Sequence, residues 1–599
     1  MIVVVCLVAL AHWPALSART LTFDDNQYLT ENALVQHPSF SSLGRFLGEV
    51  LEPSTVRGYY QPLTMISLML DHALGGRVDD LRPFHRTSLV LHVANTALVV
   101  VFLYLLFGHP WAAAMTGLLY GVHPMTVEPI PWVGERKTLL TTFFALWCLV
   151  LYVRYARTER WGCYAGAMIA YVLALMSKPT STPLPVLLLL LDTWPGRRLG
   201  RRAIVEKIPF FVIGGISAII TYISQARTAA VATPSEYASS VVPLTLCHNI
   251  VFYPYKMLRP VNLSSHYPYP EPFDLSQPMV LAGVIGTCVL ILALLLSWRR
   301  TRALLVGWLF FFVAIFPTMG VIGFTHTIAS DKYAYLPSIG LLLPLAWVMK
   351  GIWGDAAGRS RAAARRYGLA AAVLVVAVLE IVATRSQLVH WRDTEGHFRY
   401  MLTLAPEVRV LHSGLADALR TDAIALMRAS KGPTPQSQAL VAEAIEHYRK
   451  ALVPKQDSPF GRNDLLTCSV RNNLGNLLAQ QRKLDEAIAN WRYVLRMNPR
   501  HYNAHNNIGI ALAWQGKSDE AIRHYREALS IRSDLPETHA NLGIELARRG
   551  ELDLAIQHFT EALRLKPGFE LAMRNLKAAL ARQGRSEQDI RAYLRSLGP

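Results

Sequence analysis

Residues 87–107 read TSLVLHVANTALVVVFLYLLF, a stretch without Asp, Glu, Lys or Arg. A membrane-spanning helix needs about 20 consecutive and mostly apolar residues, so this stretch predicts a transmembrane helix. Ten further runs have a similar apolar character. They cover residues 1–16, 111–127, 138–155, 162–177, 181–193, 208–226, 278–297, 303–319, 332–350 and 368–385. The sequence therefore predicts an all-α fold that begins with a bundle of about eleven spans within residues 1–390.

The composition of the 599-residue chain agrees with a membrane bundle. Hydrophobic residues make up 52% of the chain and charged residues 17%, whereas soluble proteins carry about 25% charged residues. This balance excludes a wholly soluble, a disordered and a collagen-like protein. The six cysteines form no CxxC pattern, which argues against a disulfide framework or a zinc site. Residues 1–16 have two interpretations, a cleaved signal peptide or a retained helix, and we prefer the retained helix.

The net charge of +18 is concentrated in short loops between the apolar runs. Basic clusters at 197–207, 299–302 and 359–366 are typical of cytoplasmic loops, because positive charge is retained on that side of a membrane. We therefore expect membrane lipids, and no nucleic acid, as the partners of these charges. The stretch 240–258 contains His, Asn, Pro and Lys and is predicted to be a re-entrant or interface-lying segment that does not cross.

This topology places two parts of the chain on the outer side of the membrane. They are the loop 17–86 and everything after residue 385. A loop as long as 17–86 is too long for a simple connection and suggests a function. The Arg- and Ala-rich composition favours a bacterial inner membrane with a periplasmic C-terminal half, or an ER membrane with a lumenal one in a eukaryote.

The C-terminal part contains an internal repeat. The tripeptides Asn473-Leu474-Gly475, Asn507-Ile508-Gly509 and Asn541-Leu542-Gly543 recur every 34 residues, which is the period of tetratricopeptide repeats. Such repeats stack helix pairs into a solenoid, because one pair cannot bury its apolar face alone. We predict a repeat domain over 391–599. Its parts are a divergent repeat at 405–458, full repeats at 468–501, 502–535 and 536–569, and a degenerate cap at 570–599.

Two adjacent carboxylates, Asp24 and Asp25, follow the first span in the outer loop. One could act as a general base while the other tunes its pKa or holds a divalent ion such as Mg²⁺ or Mn²⁺. The alternative is the acidic first turn of a helix. His85 and His92 share a helix face, but a metal site needs more ligands, so packing or hydrogen bonding is the preferred interpretation.

Four cations lie on the outer side, where the positive-inside rule predicts few. Arg136, Lys137, Lys178 and Lys332 follow or precede apolar runs at that face. Gathered on one face of a bundle, they would form an anion site suited to a lipid-linked phosphate, with a carboxylate to activate the attacking group. For Arg136 and Lys137 the alternative is that long basic side chains reach the interface from the membrane.

At these positions the sequence resembles the transmembrane-and-tetratricopeptide O-mannosyltransferases, a group within the multi-spanning GT-C glycosyltransferases. The resemblance rests on the order of several short motifs together with the C-terminal repeats. The motifs are Asp24-Asp25, Tyr60-Gln61-Pro62-Leu63-Thr64, His85…His92…Asn95, His123-Pro124…Glu128, Glu135-Arg136-Lys137, Ser177-Lys178-Pro179, Asp192-Thr193-Trp194-Pro195 and Asp331-Lys332-Tyr333. Gln61 and Lys332 depart from the resemblance, since relatives often have Arg at both positions, and this puts donor affinity and donor identity in doubt.

The resemblance implies a polyprenyl-phosphate sugar as donor and inversion at its anomeric carbon. Asp24 or Asp25 would deprotonate a Ser or Thr hydroxyl, and Glu128 would be a second acidic group. Arg136, Lys137, Lys178 and Lys332 would bind the donor phosphate. The resemblance places further residues in the substrate region, namely Tyr28, Gln61, His85, His92, His123, Glu135, Asp331 and Tyr333.

The predicted function is transfer of a sugar, with mannose preferred, to Ser or Thr of proteins outside the cytoplasm. The repeats would bind acceptor or partner proteins. Asn473, Asn507 and Asn541 could hydrogen-bond an extended peptide backbone, although internal packing is the preferred explanation for asparagine at this repeat position. Two alternatives remain open. One is a non-enzymatic membrane anchor whose repeats assemble an envelope complex, and the other is a GT-C enzyme acting on a glycolipid or polysaccharide.

Overall fold

The computed structural model describes residues 1–19, 25–51, 60–228, 241–270, 272–320, 327–354, 359–453 and 464–596. Among these residues the secondary structure is helical, and a single antiparallel bridge joins Tyr267 and Ala329. The predicted all-α fold is confirmed. Asp24, one of the two predicted bases, lies outside the described residues.

The described chain forms two compact units. The first runs to Glu407 and the second begins at Val408, so the helix Thr394–Leu404 belongs to the first unit although the predicted boundary lay at residue 390. The first unit contains seventeen α-helices among its described residues. They are Ile2–His12, Ala33–Gln36, Phe40–Gly48, Pro62–Ala73, Arg82–Phe107, Pro110–Val122, Arg136–Thr158, Trp161–Ser177, Leu184–Thr193, Arg201–Val205, Ile208–Thr228, Val241–Leu258, Pro278–Trp298, Ala303–Ile315, Ser338–Gly354, Arg359–Val389 and Thr394–Leu404.

Within the described residues, five helical segments are long and apolar enough to cross a membrane. They are Arg82–Phe107, Val133–Thr158, Arg201–Gln225, Pro278–Trp298 and Ala363–Val389. Shorter apolar helices cover Ile2–Ser17, Trp161–Ser177, Ala303–Thr318 and Ser338–Trp353. The predicted spans 111–127 and 181–193 form helices of only 13 and 10 residues. Each of the eleven predicted segments thus contains a helix, but the count of about eleven spans is not confirmed.

The bundle is held together by close helix contacts at small residues. A Cβ on Gly117 would clash with a Val100 methyl carbon, and one on Gly307 would lie 2.6 Å from Pro344. Small residues let helix backbones approach each other where no water is expelled to drive association. Their positions explain how the helices around Arg82–Phe107 pack into one continuous apolar cluster.

The segment 17–86, predicted to be an outer loop, is folded over its described part. Helices Phe40–Gly48 and Pro62–Ala73 bury an apolar cluster that includes Tyr28, Phe46 and Leu68. The helix Phe40–Gly48 begins at Ser39, whose hydroxyl accepts the N–H of Ser42, a common way to satisfy a free helix N-terminus. The segment is therefore a small helical layer and not an extended connection.

The second unit consists of paired helices at the predicted repeat positions. They are Arg409–Ala429 with Pro435–Ala451, Asp464–Gln480 with Leu484–Met497, Tyr502–Trp514 with Ser518–Ile531, Pro536–Arg549 with Leu552–Leu565, and Glu570–Arg582 with Glu587–Ser596. The recurrent glycine has a steric cause. A Cβ on Gly509 would lie 2.6 Å from the Tyr525 ring of the partner helix, so only glycine lets the two helices approach this closely.

Candidate functional site

Three lysine side chains converge on one buried glutamate. Glu135 lies 3.6 Å from the ammonium nitrogen of Lys137, 3.2 Å from that of Lys178 and 3.2 Å from that of Lys332. The Thr138 hydroxyl also donates to Glu135, at 2.5 Å. Three of the four cations predicted to gather are thus within one cluster, which we call the lysine cluster.

The lysine cluster forms because three chain segments end at the same place. Glu135 closes the 3₁₀ turn Val133–Glu135 directly before the helix Arg136–Thr158. Lys178 follows the last residue of the helix Trp161–Ser177, and Lys332 lies in the 3₁₀ turn Asp331–Ala334. A charged side chain is costly at the apolar centre of a membrane helix. The charged residues of this cluster accordingly lie at helix ends.

Glu128 extends the lysine cluster on the side of Lys332. Its carboxylate accepts the backbone N–H of Lys332 at 2.9 Å and lies 3.9 Å from the lysine ammonium nitrogen. The same ammonium lies 3.6 Å from the centre of the Trp132 ring, a cation–π contact. Burial raises the pKa of Glu128 to about 7, because the loss of hydration outweighs the attraction of Lys332.

The outer loop contributes Tyr28, Gln61 and Asp25 to the surroundings. The Tyr28 hydroxyl accepts from Gln61 at 2.7 Å and from the Lys137 ammonium at 3.1 Å. Asp25 is 1% exposed and accepts the backbone N–H of Gly134 at 2.7 Å. A carboxylate is therefore held against the turn that carries Glu135.

Three ammonium groups surround the single carboxylate of Glu135, so positive charge is in excess at the centre of the lysine cluster. A second carboxyl, Glu128, lies only beside Lys332, and burial raises its pKa to about 7. Burial also lowers the pKa of Lys178 to about 8, despite the attraction of Glu135. Such a site can bind an anion of one or two negative charges.

Arg136 is not part of this cluster, which corrects the predicted four-cation site. Its guanidinium is fully buried and pairs with Asp71 at 2.8 Å. It also donates to the Phe84 carbonyl at 2.5 Å and to the hydroxyls of Ser67 and Ser88. These bonds connect the helix that carries Asp71 to the helix that carries Phe84, so the guanidinium has a structural role.

The three predicted histidines make structural hydrogen bonds. His85 donates to the Pro131 carbonyl at 3.0 Å, and His92 joins the Gly121 carbonyl to the Tyr335 hydroxyl. His123 donates to the Met257 carbonyl. The preferred interpretation of His85 and His92, packing and hydrogen bonding, agrees with these contacts.

Asp331 and Tyr333 flank Lys332 on its turn. Asp331 is 3% exposed and accepts the Tyr267 hydroxyl at 3.0 Å, while the centre of the Tyr333 ring lies 5.8 Å from the Lys332 ammonium nitrogen. Burial and the nearby charge of Glu128 raise the pKa of Asp331 well above its usual range. Asp331 and Glu128 also line a cleft with residues after position 386, which sequence reasoning missed because they lie at and beyond the predicted domain boundary.

A divalent metal does not fit the described site. Among the described residues, no group of three or more His, Cys, Asp and Glu side chains could hold a metal ion. Glu135 and Glu128 face lysines, and an ammonium group competes with a cation for the same oxygens. A metal ligand at Asp24 lies outside the described residues, so no chemical step is derived through Mg²⁺ or Mn²⁺.

The repeat asparagines connect neighbouring helix pairs. The Asn473 amide donates to Asp417 at 3.1 Å and the Asn507 amide donates to Asn476 at 2.9 Å. Asn541 is half-buried at the equivalent position. Two of the three amides predicted to bind peptide thus each donate a hydrogen bond to a neighbouring repeat. Their role in peptide binding stays a prediction.

Comparisons with known proteins agree with the resemblance drawn from the sequence. Residues 472–536 match the tetratricopeptide repeat family. A human protein named Protein O-mannosyl-transferase TMTC2 is 30% identical over 129 residues, which cover 20% of this chain and 15% of the human protein. A Caenorhabditis elegans protein named Protein O-mannosyl-transferase F38B6.6 is 23% identical over 369 residues, which cover 57% of this chain and 51% of the nematode protein.

The matched regions therefore span about half or less of these curated relatives. Solved structures similar to the chain include the crystal structure of MamA, with 18% identity, a TM-score of 0.23 and coverage of 29% of this chain and 86% of MamA. Together the repeat match and the named relatives confirm that this chain resembles the tetratricopeptide-containing O-mannosyltransferases.

Proposed function

We propose that the chain is an integral-membrane glycosyltransferase that moves mannose from a polyprenyl-phosphate donor to Ser or Thr side chains of proteins outside the cytoplasm. The observation that carries the proposal is the lysine cluster, in which Lys137, Lys178 and Lys332 surround Glu135 at the ends of apolar helices. The names of the relatives supply the sugar and the protein acceptor.

The charge of the lysine cluster suits such a donor. A mannosyl phosphodiester carries one negative charge, and the polyprenyl phosphate released from it carries up to two. Ammonium groups that outnumber the carboxylate they surround would bind the donor and stabilise the charge that grows on the phosphate as it leaves. Lys178 can approach the phosphate as a point charge from its buried position beside Thr138.

The acceptor hydroxyl must lose a proton as its oxygen attacks the anomeric carbon. In the proposed reaction this oxygen forms the new bond, the bond from the anomeric carbon to the phosphate oxygen breaks, and its electrons leave with the phosphate. Asp25 is a candidate base, since it is held at the Gly134 turn beside the lysine cluster. Attack from the face opposite the phosphate gives inversion. Asp24 stays the alternative base.

The repeats would supply the protein acceptor. Solenoids of paired helices mostly bind proteins, and binding energy from remote parts of a substrate can position the reacting hydroxyl. In this proposal the second unit holds an acceptor or partner chain while the first unit performs the transfer.

The proposal is tested by sugar transfer from labelled polyprenyl-phosphate mannose in membranes that contain the full chain. We expect transfer to protein by the wild type and a loss of at least about 100-fold in either Asp25→Asn or Asp24→Asn, as for removal of a general base. Lys178→Met should raise the KM for the donor. Asp79→Asn, an exposed carboxylate of the same outer loop, is the matched control and should retain activity.

Two results would contradict the proposal. Absence of transfer by an expressed wild type with mannosyl and other sugar donors would favour the membrane-anchored scaffold. Label that enters lipid or polysaccharide instead of protein would favour the glycolipid or polysaccharide acceptor.

A further inference from the structure

Two loops meet at the end of the first unit that lies away from the lysine cluster. The first loop joins the helix Arg136–Thr158 to the helix Trp161–Ser177, and the lysine cluster lies at the other ends of these two helices. The second loop, 194–207, contains one of the basic stretches predicted to be cytoplasmic. An ion pair between Arg202 and Glu159, at 2.8 Å, joins the two loops directly.

The acidic side chains at this end already have cationic partners. Asp192 pairs with the buried ammonium group of Lys207, and Glu206 pairs with Arg198 at 2.8 Å. The third acidic residue, Glu159, is the carboxylate of the ion pair that joins the loops. These pairs hold the two loops in place and leave none of the three carboxylates to neutralise further positive charge.

Five arginines at the same end remain unpaired. The segments 154–160 and 192–207 contain eight basic residues and three acidic ones, so positive charge is in excess. Five of the basic side chains are exposed and make no hydrogen bond or ion pair within the described residues. They belong to Arg154, Arg157, Arg160, Arg197 and Arg201, and we call them the arginine face.

Large apolar side chains are exposed beside the arginine face. Trp161 is 71% exposed, and Leu199, Ile204 and Val205 are each more than half exposed. Contiguous exposed apolar side chains usually mark a contact surface. At the end of membrane-spanning helices, they reach the boundary between lipid headgroups and acyl chains, where tryptophan is enriched. A soluble anion or a nucleic acid would leave these side chains in water, so the surface fits a lipid better.

Anionic phospholipids supply both kinds of contact. A guanidinium group is always charged and can bond two phosphate oxygens at once. Basic side chains near the cytoplasmic surface attract anionic lipids, whose acyl chains can cover the neighbouring apolar side chains. The three carboxylates nearby are already paired, so they do not compete with a lipid phosphate for the arginines.

We propose that the arginine face binds anionic phospholipids of the cytoplasmic leaflet, with guanidinium groups on the lipid phosphates and the exposed apolar side chains beside the acyl chains. The inference does not rest on the proposed function, because it concerns the opposite end of the bundle and uses neither the donor nor the acceptor. It assigns lipid binding to five named arginines on two loops that ion pairs join.

The test measures lipid binding to the full chain in a nonionic detergent by native mass spectrometry. The probes are phosphatidylglycerol and phosphatidylcholine with identical acyl chains, which differ in net headgroup charge. The wild type should bind its first phosphatidylglycerol at least about tenfold more tightly than phosphatidylcholine. The double variant Arg160→Gln with Arg201→Gln changes one arginine in each loop. It should lose about 25-fold in affinity for phosphatidylglycerol, about fivefold for each arginine, and none for phosphatidylcholine.

The double variant Arg299→Gln with Arg300→Gln is the matched control, because it removes the same charge from another exposed basic loop. It should bind the first phosphatidylglycerol as the wild type does. If the first double variant has a lower unfolding temperature, Arg157→Gln with Arg197→Gln decides by the same comparison. Glycerol phosphate in excess, which has the headgroup phosphate without acyl chains, should not displace the lipid.

Four results would overturn the inference. Equal affinity of the wild type for both lipids would show that headgroup charge is not recognised, and unchanged affinity in the arginine-face variant would place the lipid elsewhere. Equal losses in the two double variants would show general attraction to positive charge. Displacement of the lipid by glycerol phosphate would identify a soluble phosphate as the occupant.

Discussion

Arg136 and Lys137 are neighbours in the chain, but their side chains have different partners and different roles. Successive residues on a helix point about 100° apart, so Lys137 reaches Glu135 while Arg136 turns to Asp71. Both members of the Arg136–Asp71 pair are buried, and an ion pair in that setting is strongly destabilised when one partner is removed. The role of Arg136 is therefore structural.

Replacing Arg136 with Met should lower the free energy of unfolding by about 3–5 kcal/mol, because Asp71 would remain buried without its counter-charge. Thermal unfolding of the purified protein in detergent measures the change. The double variant Arg136→Met with Asp71→Asn should recover part of the loss. A double variant less stable than Arg136→Met alone would contradict the pairing.

The affinity for the donor should fall as pH rises from about 6 to 9. Over this range Glu128, with a pKa of about 7, becomes negative, and Lys178, with a pKa of about 8, loses its positive charge. Both changes reduce the net positive charge, so the KM for the donor should increase by at least about tenfold, as for the loss of a charged hydrogen bond. In Lys178→Met we expect a higher KM at pH 7 and no further rise above pH 8. A pH-independent KM in the wild type would argue against phosphate binding at this cluster.

At the scale of the helix pair, the recurrent glycine sets the distance between the two helices of a repeat. Gly509→Ala would place a methyl group against the Tyr525 ring, and such overpacking costs about 1–3 kcal/mol. The expected result is a lower unfolding temperature of the repeat unit. Gly432→Ala is the control, since no atom lies within 4 Å of its added Cβ. Equal effects of the two substitutions would show that the close contact is unimportant.

A second feature of the helix pairs is a repeated histidine contact. His505 and His524 face each other through their Nδ1 atoms at 3.1 Å, and His539 and His558 do so at 3.0 Å. The Nε2 atoms of His505 and His539 contact backbone carbonyls, which fixes their protons there. In this tautomer each of these Nδ1 atoms accepts a hydrogen bond from the Nδ1–H of the partner histidine.

Acid should destabilise the repeat unit. Burial and the facing histidine lower the pKa of His524 and of His558 to about 4, whereas unfolded histidine titrates near 6.5. The unfolded chain thus binds more protons below pH 6.5, and stability falls as pH decreases from 6.5 to 4. Because both side chains are partly exposed, we expect a total loss of about 1–2 kcal/mol, measured by thermal unfolding at pH 7 and pH 4.5.

The preceding repeat offers a matched control for this effect. There the two positions hold Arg471 and Asn490, and the arginine donates to the asparagine at 3.2 Å. The double substitution of His505→Arg with His524→Asn copies that pair, so it should fold at pH 7 and lose part of the acid sensitivity. An unchanged pH profile would place the sensitivity elsewhere.

For the whole molecule, sequence patterns located the elements well and the side-chain partners less well. Apolar runs and the 34-residue period anticipated the helices because both depend on local periodicity. The position of Lys137, Lys178 and Lys332 at the ends of apolar runs predicted that they gather, and all three lie close to Glu135. The partner of Arg136 depends on which way a helix face turns, and a lone histidine such as His397 carries no spacing signal.

The predicted topology can be tested on the complete chain. The basic loop at 197–207 is expected in the cytoplasm and the repeats on the opposite side. In a cysteine-free background, Arg201→Cys should react with an impermeant thiol reagent only after the membrane is opened, whereas Arg585→Cys should react from the outer side. Both side chains are exposed, so access depends on the membrane alone. Labelling of both residues from the same side would reject this arrangement.

The helix Thr394–Leu404 determines where the chain can be divided for genetic dissection. It lies in the first unit and supplies His397 and Tyr400 to the cleft, although it follows the last apolar helix. A membrane fragment that stops at residue 390 would lose one side of the cleft, whereas a fragment that stops at 407 would keep it. The two truncations therefore differ by a short polar helix, and only the longer one is expected to fold as a self-contained unit.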